Sequence, residues 1–209
     1  MLYHVFDKAP TAGAPLLLLL HGYGSNEEDL MGLVPQLDAR LMCVSARAPR
    51  ALDFGGFAWF HIEIGPQGVR FDFAEAAESL GQVLALVDAL QRTYRPAGVF
   101  IAGFSQGASM ALAAALKQPR AFAGAIALSG VCGPEMLPED AASVRSLKVF
   151  MSHGRFDPVI PIAQARASRD RLTPLGLDLL YKEYDMPHAI APPCLADLDA
   201  WLRTRLDAF

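Results

Sequence analysis

The sequence predicts an α/β fold, a mostly parallel central sheet with helices on both faces. Short apolar runs alternate with segments of helical periodicity along the chain, the pattern of strand-helix-strand crossovers in a parallel sheet. Runs such as LLLLL at 16–20 and VFIA at 99–102 are continuously apolar, as strands buried on both faces are. Polar clusters at 21–26, 103–107, 153–158 and 185–188 each follow a predicted strand. They therefore gather at the carboxyl edge of the sheet, where ligands bind in such folds.

Taken in order, residues 2–6 alternate as an edge strand and 10–15 form the turn after it. Leu16–Leu20 is a buried strand that ends at the loop His21-Gly22-Tyr23-Gly24-Ser25-Asn26. Glu27, Glu28 and Asp29 suit the first turn of a helix reaching to about Leu37, since acidic groups there meet the positive end of the helix dipole. A strand over 41–46 follows. Residues 47–71, rich in Gly, Pro and aromatics with no clear period, are expected to form a long ordered loop. Asp72 with Glu75 makes a capping box, and Phe73, Ala76, Ala77, Leu80, Leu84, Val87 and Leu90 recur at helical spacing to about Arg92. Strands over 122–128, 147–151 and 177–184, a helix over Ile162–Leu172 and a closing helix marked by Leu195, Leu198, Leu202 and Leu206 complete the series.

The stretch at 98–115, GVFIAGFSQGASMALAAA, is the one the others serve. A buried strand stops at Gly103-Phe104-Ser105-Gln106-Gly107 and an Ala-rich helix starts at once. That is the setting of a nucleophile elbow, whose serine sits strained at the apex of a strand-to-helix turn with its hydroxyl above the sheet. A Cβ at Gly103 or Gly107 would collide with the neighbouring strand or helix. Ala108, Ser109, Ala111 and the alanines at 113–115 let the helix lie close on the sheet.

An uncharged serine needs a histidine to take its proton and a carboxylate to hold that histidine in the right tautomer. In folds with this elbow the chain order is serine, acid, histidine. Of the five histidines, His188 alone follows both the elbow and a second acidic loop. Asp157, in the loop Ser152-His153-Gly154-Arg155-Phe156-Asp157-Pro158, is the expected acid; Asp185 is its rival, but a short loop would have to fold back sharply to reach His188. The oxyanion hole requires backbone N–H groups aimed at the developing charge. Gln106, directly after the serine, supplies one and Tyr23 the other, with Gly24 as the alternative. His21 and His153 read as hydrogen-bonding residues of their loops, and His4 and His61 as surface or edge residues.

The chain has 209 residues and a net charge of -4, which suits one domain, residues 1–209, with a substantial core. No basic face or run is present to neutralise phosphates, so nucleic acid is not an expected partner. The apolar stretch at 14–20 is too short to span a bilayer and lacks the charged front and cleavage site of a secretory signal. No integral membrane segment is therefore expected, and the cytoplasm is the default compartment. Cys43, Cys132 and Cys194 are widely spaced and odd in number, a pattern of neither a disulfide framework nor a zinc site.

His21-Gly22-Tyr23-Gly24, Trp59-Phe60, Gly103-Phe104-Ser105-Gln106-Gly107 and the run HGRFDPVIP at 153–161 together resemble the phospholipase/carboxylesterase family of small α/β-hydrolases. Bacterial carboxylesterases and acyl-protein thioesterases belong to it. The resemblance implies an α/β-hydrolase fold and a serine hydrolase with Ser105, Asp157 and His188 as its triad. It also implies the N–H groups of Tyr23 and Gln106 as the oxyanion hole, no cofactor or metal, and a shallow hydrophobic acyl groove. The chain reads Asp185-Met186-Pro187-His188-Ala189-Ile190 where the thioesterase branch has Gly-Met and then small hydroxyl residues, and has His61 where that branch has an acid. The match is thus closer to the general bacterial esterases. Only residues 130–146 separate the strand after the elbow helix from the next one, so no cap domain fits. The expected groove is open, walled by the 47–71 loop with Trp59 and Phe57 facing the acyl chain. A small acyl ester or thioester is the expected substrate, of a monomer or homodimer.

Overall fold

The computed structural model describes residues 1–65 and 68–209. The apolar runs become β1 (His4–Phe6), β2 (Leu16–Leu20), β3 (Met42–Ala46), β4 (Val99–Phe104), β5 (Gly124–Leu128), β6 (Lys148–Gly154) and β7 (Asp178–Tyr184). These seven strands form one sheet in the order β1-β3-β2-β4-β5-β6-β7. All neighbours run parallel except β1, which lies antiparallel to β3 at one edge with His4 opposite Ala46. Helices α1 (Phe73–Tyr94), α2 (Gln106–Lys117), α3 (Ile162–Leu172) and α4 (Pro192–Leu206) connect or close the strands.

Because successive side chains of a strand point to opposite faces, a continuous leucine run feeds two cores at once. Leu16, Leu18 and Leu20 pack with Val83, Leu86 and Val87 of α1, Ala111 and Leu112 of α2 and Leu172 of α3. Leu17 and Leu19 pack on the other face with Leu30, Leu37, Phe150, and with Leu198, Trp201 and Leu202 of α4. Each fully buried leucine is worth about 1.5–3 kcal/mol in transfer terms, and five in a row hold β2 in the interior of the sheet, between β3 and β4.

Three expectations are revised. The segment expected as an α-helix to about Leu37 is a 3-10 helix, Asp29–Gln36; Pro35 inside it removes an N–H donor that an α-helix would use. The expected long loop at 47–71 carries two antiparallel pairs, Arg50–Ala51 with Phe57–Ala58 and Ile62–Gly65 with Gly68–Phe71. The capping box is only half formed. Asp72 Oδ1 accepts from Glu75 N–H at 3.0 Å, but the Glu75 carboxylate accepts from the His61 N–H at 2.8 Å and pairs with Arg50 at 3.0 Å.

Between β5 and β6 the chain makes two short 3-10 turns, Pro134–Met136 and Ala141–Val144. Among the described residues no helix is long and apolar enough to cross a membrane. Cys43, Cys132 and Cys194 are buried and free, and burial pushes the thiols of Cys43 and Cys132 up to about 12, which leaves them inert as nucleophiles.

Candidate active site

At the end of β4 the chain turns directly into α2, and Ser105 sits at the apex with φ 54° and ψ -118°. The left-handed conformation of a residue with a side chain costs about 1–3 kcal/mol and persists only where its surroundings impose it. Here they do. A Cβ on Gly103 would lie 2.1 Å from the Gly107 carbonyl oxygen, and one on Gly107 would lie 2.1 Å from the Leu20 carbonyl oxygen. Strand, turn and helix are thus pressed together, and Ser105 N–H donates to Leu128 O on β5 at 2.9 Å.

The loop between β7 and α4 brings His188 over this turn. Its Nε2 is 2.9 Å from Ser105 Oγ, and its Nδ1 is 2.6 Å from Asp157 Oδ2. Asp157 lies in the loop after β6, where Oδ1 accepts from the N–H groups of Val159 and Ile160, both at 2.8 Å. Burial pushes the Asp157 carboxyl up. The hydrogen bonds from His188, Ile160 and Val159 outweigh it and hold the group below the ordinary value of 3.8. An ionised carboxylate only accepts, so the His188 proton sits on Nδ1 and Nε2 faces the serine as an acceptor. Asp185, the rival acid, points away: its carboxylate is 70% exposed and pairs with Arg155 Nη1 at 2.6 Å.

Tyr23 lies in the loop after β2, and Gln106 opens α2. Neither backbone N–H has a hydrogen-bond partner among the described residues. The alternative donor, Gly24, has its N–H committed to Phe57 O at 2.9 Å. His21 is fully buried. Its Nε2 accepts from Ala48 N–H at 3.0 Å, which makes Nδ1 the donor to Gly22 O at 2.7 Å. Burial lowers its pKa, so the ring serves as a neutral brace of the loop.

Trp59 does not face an acyl groove: its side chain is 0% exposed. Its indole N–H donates to His21 O at 2.9 Å, and a buried indole seeks such a partner. Phe57 is half-buried under the Arg47 guanidinium, 4.6 Å from its ring centre. Phe54 is 75% exposed and lies 6.3 Å from the Tyr23 ring, and Phe156, next to Asp157 in sequence, is 69% exposed.

The contacts of three groups near the triad are not foreseen from the sequence, although His153 reads as a hydrogen-bonding residue of its loop and does donate to Ile160 O at 2.8 Å. Phe104 packs its ring 4.8 Å from that of His188, and His153, fully buried, brings Nε2 within 3.3 Å of Asp157 Oδ2. The third is the side chain of Gln106, buried with both amide atoms bonded to the backbone at 59–60. The motif holding each residue was visible, but no spacing rule signals which way its side chain turns.

A strained serine between a parallel strand and a helix, met from the next loops in chain order by an acid and a histidine, defines the α/β-hydrolase fold. The chain belongs to the phospholipase/carboxylesterase family, whose model matches residues 5–206. Acyl-protein thioesterase 1 of Gibberella zeae is 33% identical over 118 residues, 53% of this chain and 49% of that protein, so the match spans about half of that relative. Acyl-protein thioesterase 1 of Saccharomyces cerevisiae is 30% identical over 160 residues, 72% of this chain and 70% of that protein. Among solved structures, esterase PE8 superposes with a TM-score of 0.83 at 26% identity, over 97% of this chain and 98% of the other.

Proposed function

We propose that the chain is a serine carboxylesterase that hydrolyses short to medium acyl esters through an acyl-enzyme. Ser105 is the nucleophile, His188 the general base and Asp157 the acid that orients it. The observation that carries this reading is the continuous hydrogen-bonded chain from Ser105 Oγ through His188, at 2.9 Å, to Asp157, at 2.6 Å.

In this mechanism His188 Nε2 takes the Ser105 proton as Oγ adds to the substrate carbonyl. The carbonyl oxygen becomes an oxyanion held by the free N–H groups of Tyr23 and Gln106, aided by the positive end of α2. The intermediate collapses, the bond to the leaving group breaks, and His188 returns the proton to the departing alcohol. Water then enters and adds to the acyl carbonyl as His188 takes one of its protons. The second tetrahedral intermediate collapses, the bond to Ser105 Oγ breaks, the acid leaves, and His188 returns the proton to Oγ. The acyl chain lies across the open edge against Phe57 and Phe54. Substrate size is limited little there, because the short 3-10 turns between β5 and β6 form no cap.

A second reading, acyl-protein thioester or lysophospholipid hydrolysis, uses the same groups with a different leaving group. It is favoured by the two fungal relatives named acyl-protein thioesterase. The cytoplasm is the proposed compartment, and a monomer or homodimer the proposed assembly.

The deciding experiment measures initial rates on p-nitrophenyl esters from acetate to palmitate for wild type and Ser105→Ala. Rates that peak at short or medium chains and fall by several orders of magnitude in the variant are expected, since removing one member of such a unit removes nearly all that the unit does. A long-chain optimum moves the assignment to the second reading. More than half of wild-type activity in Ser105→Ala overturns the triad.

A further inference from the structure

We infer that the Gln106 carboxamide and the Trp59 indole are positioning groups that set the spacing of the two oxyanion-hole amides, with the 57–60 segment as the spacer between them. The inference rests on the hydrolase reading above and goes beyond it, because these side chains touch no reacting atom.

The two amides belong to segments far apart in sequence, the loop after β2 and the first turn of α2, and the 57–60 segment is bonded to both. Toward the β2 loop, Phe57 N–H donates to Ser25 O at 2.8 Å, and Phe57 O accepts from Gly24 N–H at 2.9 Å. The Trp59 indole N–H then donates to His21 O at 2.9 Å. Toward α2, Gln106 Oε1 accepts from Trp59 N–H at 2.9 Å and Gln106 Nε2 donates to Phe60 O at 2.7 Å. Both ends of the carboxamide are therefore used, and its orientation is fixed by a donor on one side and an acceptor on the other. Tyr23 lies between His21 on one side and Gly24 and Ser25 on the other, the three residues so held, while Gln106 supplies the second amide from the residue that carries the clamp.

Nor is the spacer free to drift. Ser79 Oγ of α1 donates to Trp59 O, Arg50 Nη1 donates to Ser79 Oγ at 2.9 Å, and Trp59 and Ser79 are both fully buried. His21 O, the acceptor of the indole, also lies where a Cβ on Gly107 would come within 2.5 Å of it. One carbonyl thus meets the spacer and the first turn of α2 together. Such bracing matters to rate because an oxyanion hole works only when its donors sit 2.7–3.1 Å from the developing charge before the reaction begins, as a typical range. A small loosening weakens transition-state binding more than substrate binding.

The test compares Trp59→Phe, which keeps an aromatic ring and loses the indole N–H, and Gln106→Ala, which keeps the catalytic amide and loses the clamp. Leu198→Ala, in the core on the opposite face of the sheet, controls for loss of stability alone. Each is assayed on the ester that wild type turns over fastest, well below its own Tm, and amide hydrogen exchange is followed at 21–25. For both clamp variants kcat is expected to fall roughly 10- to 100-fold with KM within about threefold, less than the loss of a whole oxyanion donor. Faster exchange at 21–25 is expected alongside, with β5 and β6 still protected. The inference is overturned if kcat stays within about twofold of wild type, falls no further than in Leu198→Ala, or is unchanged while KM rises. Should Trp59→Phe not fold, Gln106→Ala decides. If wild type shows no Ser105-dependent hydrolysis, the hydrolase reading fails separately. The exchange measurement then decides the clamp, and unchanged protection at 21–25 overturns it.

Discussion

At Asp157 three donors converge on one carboxylate. Val159 and Ile160 N–H occupy Oδ1, His188 Nδ1 occupies Oδ2 at 2.6 Å, and His153 Nε2 stands 3.3 Å from the same oxygen while donating to Ile160 O at 2.8 Å. Asparagine at this place presents an NH2 where an acceptor is needed, and His188 is driven to the wrong tautomer. Asp157→Asn should lower kcat by roughly 10³- to 10⁴-fold. Asp185→Asn, which breaks only an exposed ion pair with Arg155, should leave kcat within about threefold, because such pairs contribute about 0–1 kcal/mol. Steady-state kinetics of the two variants side by side check both, and a larger loss in Asp185→Asn would sink the choice of acid.

The strand-turn-helix element around Ser105 stores strain that can be measured apart from activity. At a φ of 54° a glycine is at ease and an alanine is not. Ser105→Gly should therefore melt above Ser105→Ala, although glycine ordinarily costs about 0.5–1 kcal/mol more through the unfolded chain. Differential scanning calorimetry reads the order, and Ser105→Ala melting higher would mean that the turn is not strained. This element was the most legible in the sequence, since the glycines that permit the turn and the apolar strand before it both leave a pattern. The order of acid and histidine was legible for the same reason, as loops after strands are forced to one edge of the sheet. Trp59 was not: a glycine- and aromatic-rich stretch without period gives no clue to which ring is buried, and its burial follows from bonds to His21 and Gln106, 38 and 47 residues away. The hairpin of Arg50–Ala51 with Phe57–Ala58 escaped because strands of 2 residues show no alternation, and the 3-10 helix because Pro35 acts on a geometry that periodicity alone does not resolve.

Across the molecule, buried and paired titratable groups couple the fold to pH in two windows. Burial lowers the pKa of His21 from the ordinary 6.5, against the raising influence of the Gly22 carbonyl, Asp29 and Glu27 and with a smaller lowering from Arg47. Below 6.5 the unfolded chain binds a proton there that the folded chain refuses, so stability falls as pH drops into this window. The carboxylates act lower. Hydrogen bonds from Arg40 hold Asp38 at about 2 against an ordinary 3.8, and Arg166, with Tyr181 and Arg155, holds Glu183 at about 2 against 4.5. Asp157 is lowered as well. Their stabilisation is complete above the unfolded values and is lost as pH falls from about 4.5 toward 2. Asp38 ties the segment before β3 to Arg203 of α4, and Glu183 ties β7 to Arg166 of α3, so acid removes one ionic contact from each of these helices. The unfolding free energy from urea titrations should fall modestly between about pH 7.5 and 5.5, by no more than about 1.4 kcal/mol per pH unit for one proton, and more steeply below about pH 4.5. His21→Gln should be less stable at neutral pH, because two buried hydrogen bonds are disturbed, yet should lose less between about pH 7.5 and 5.5 than wild type. An equal loss in the two proteins would remove His21 as the source of the upper window. A flat profile below about pH 4.5 would mean that the carboxylate pairs are as well satisfied in the unfolded chain as in the sheet.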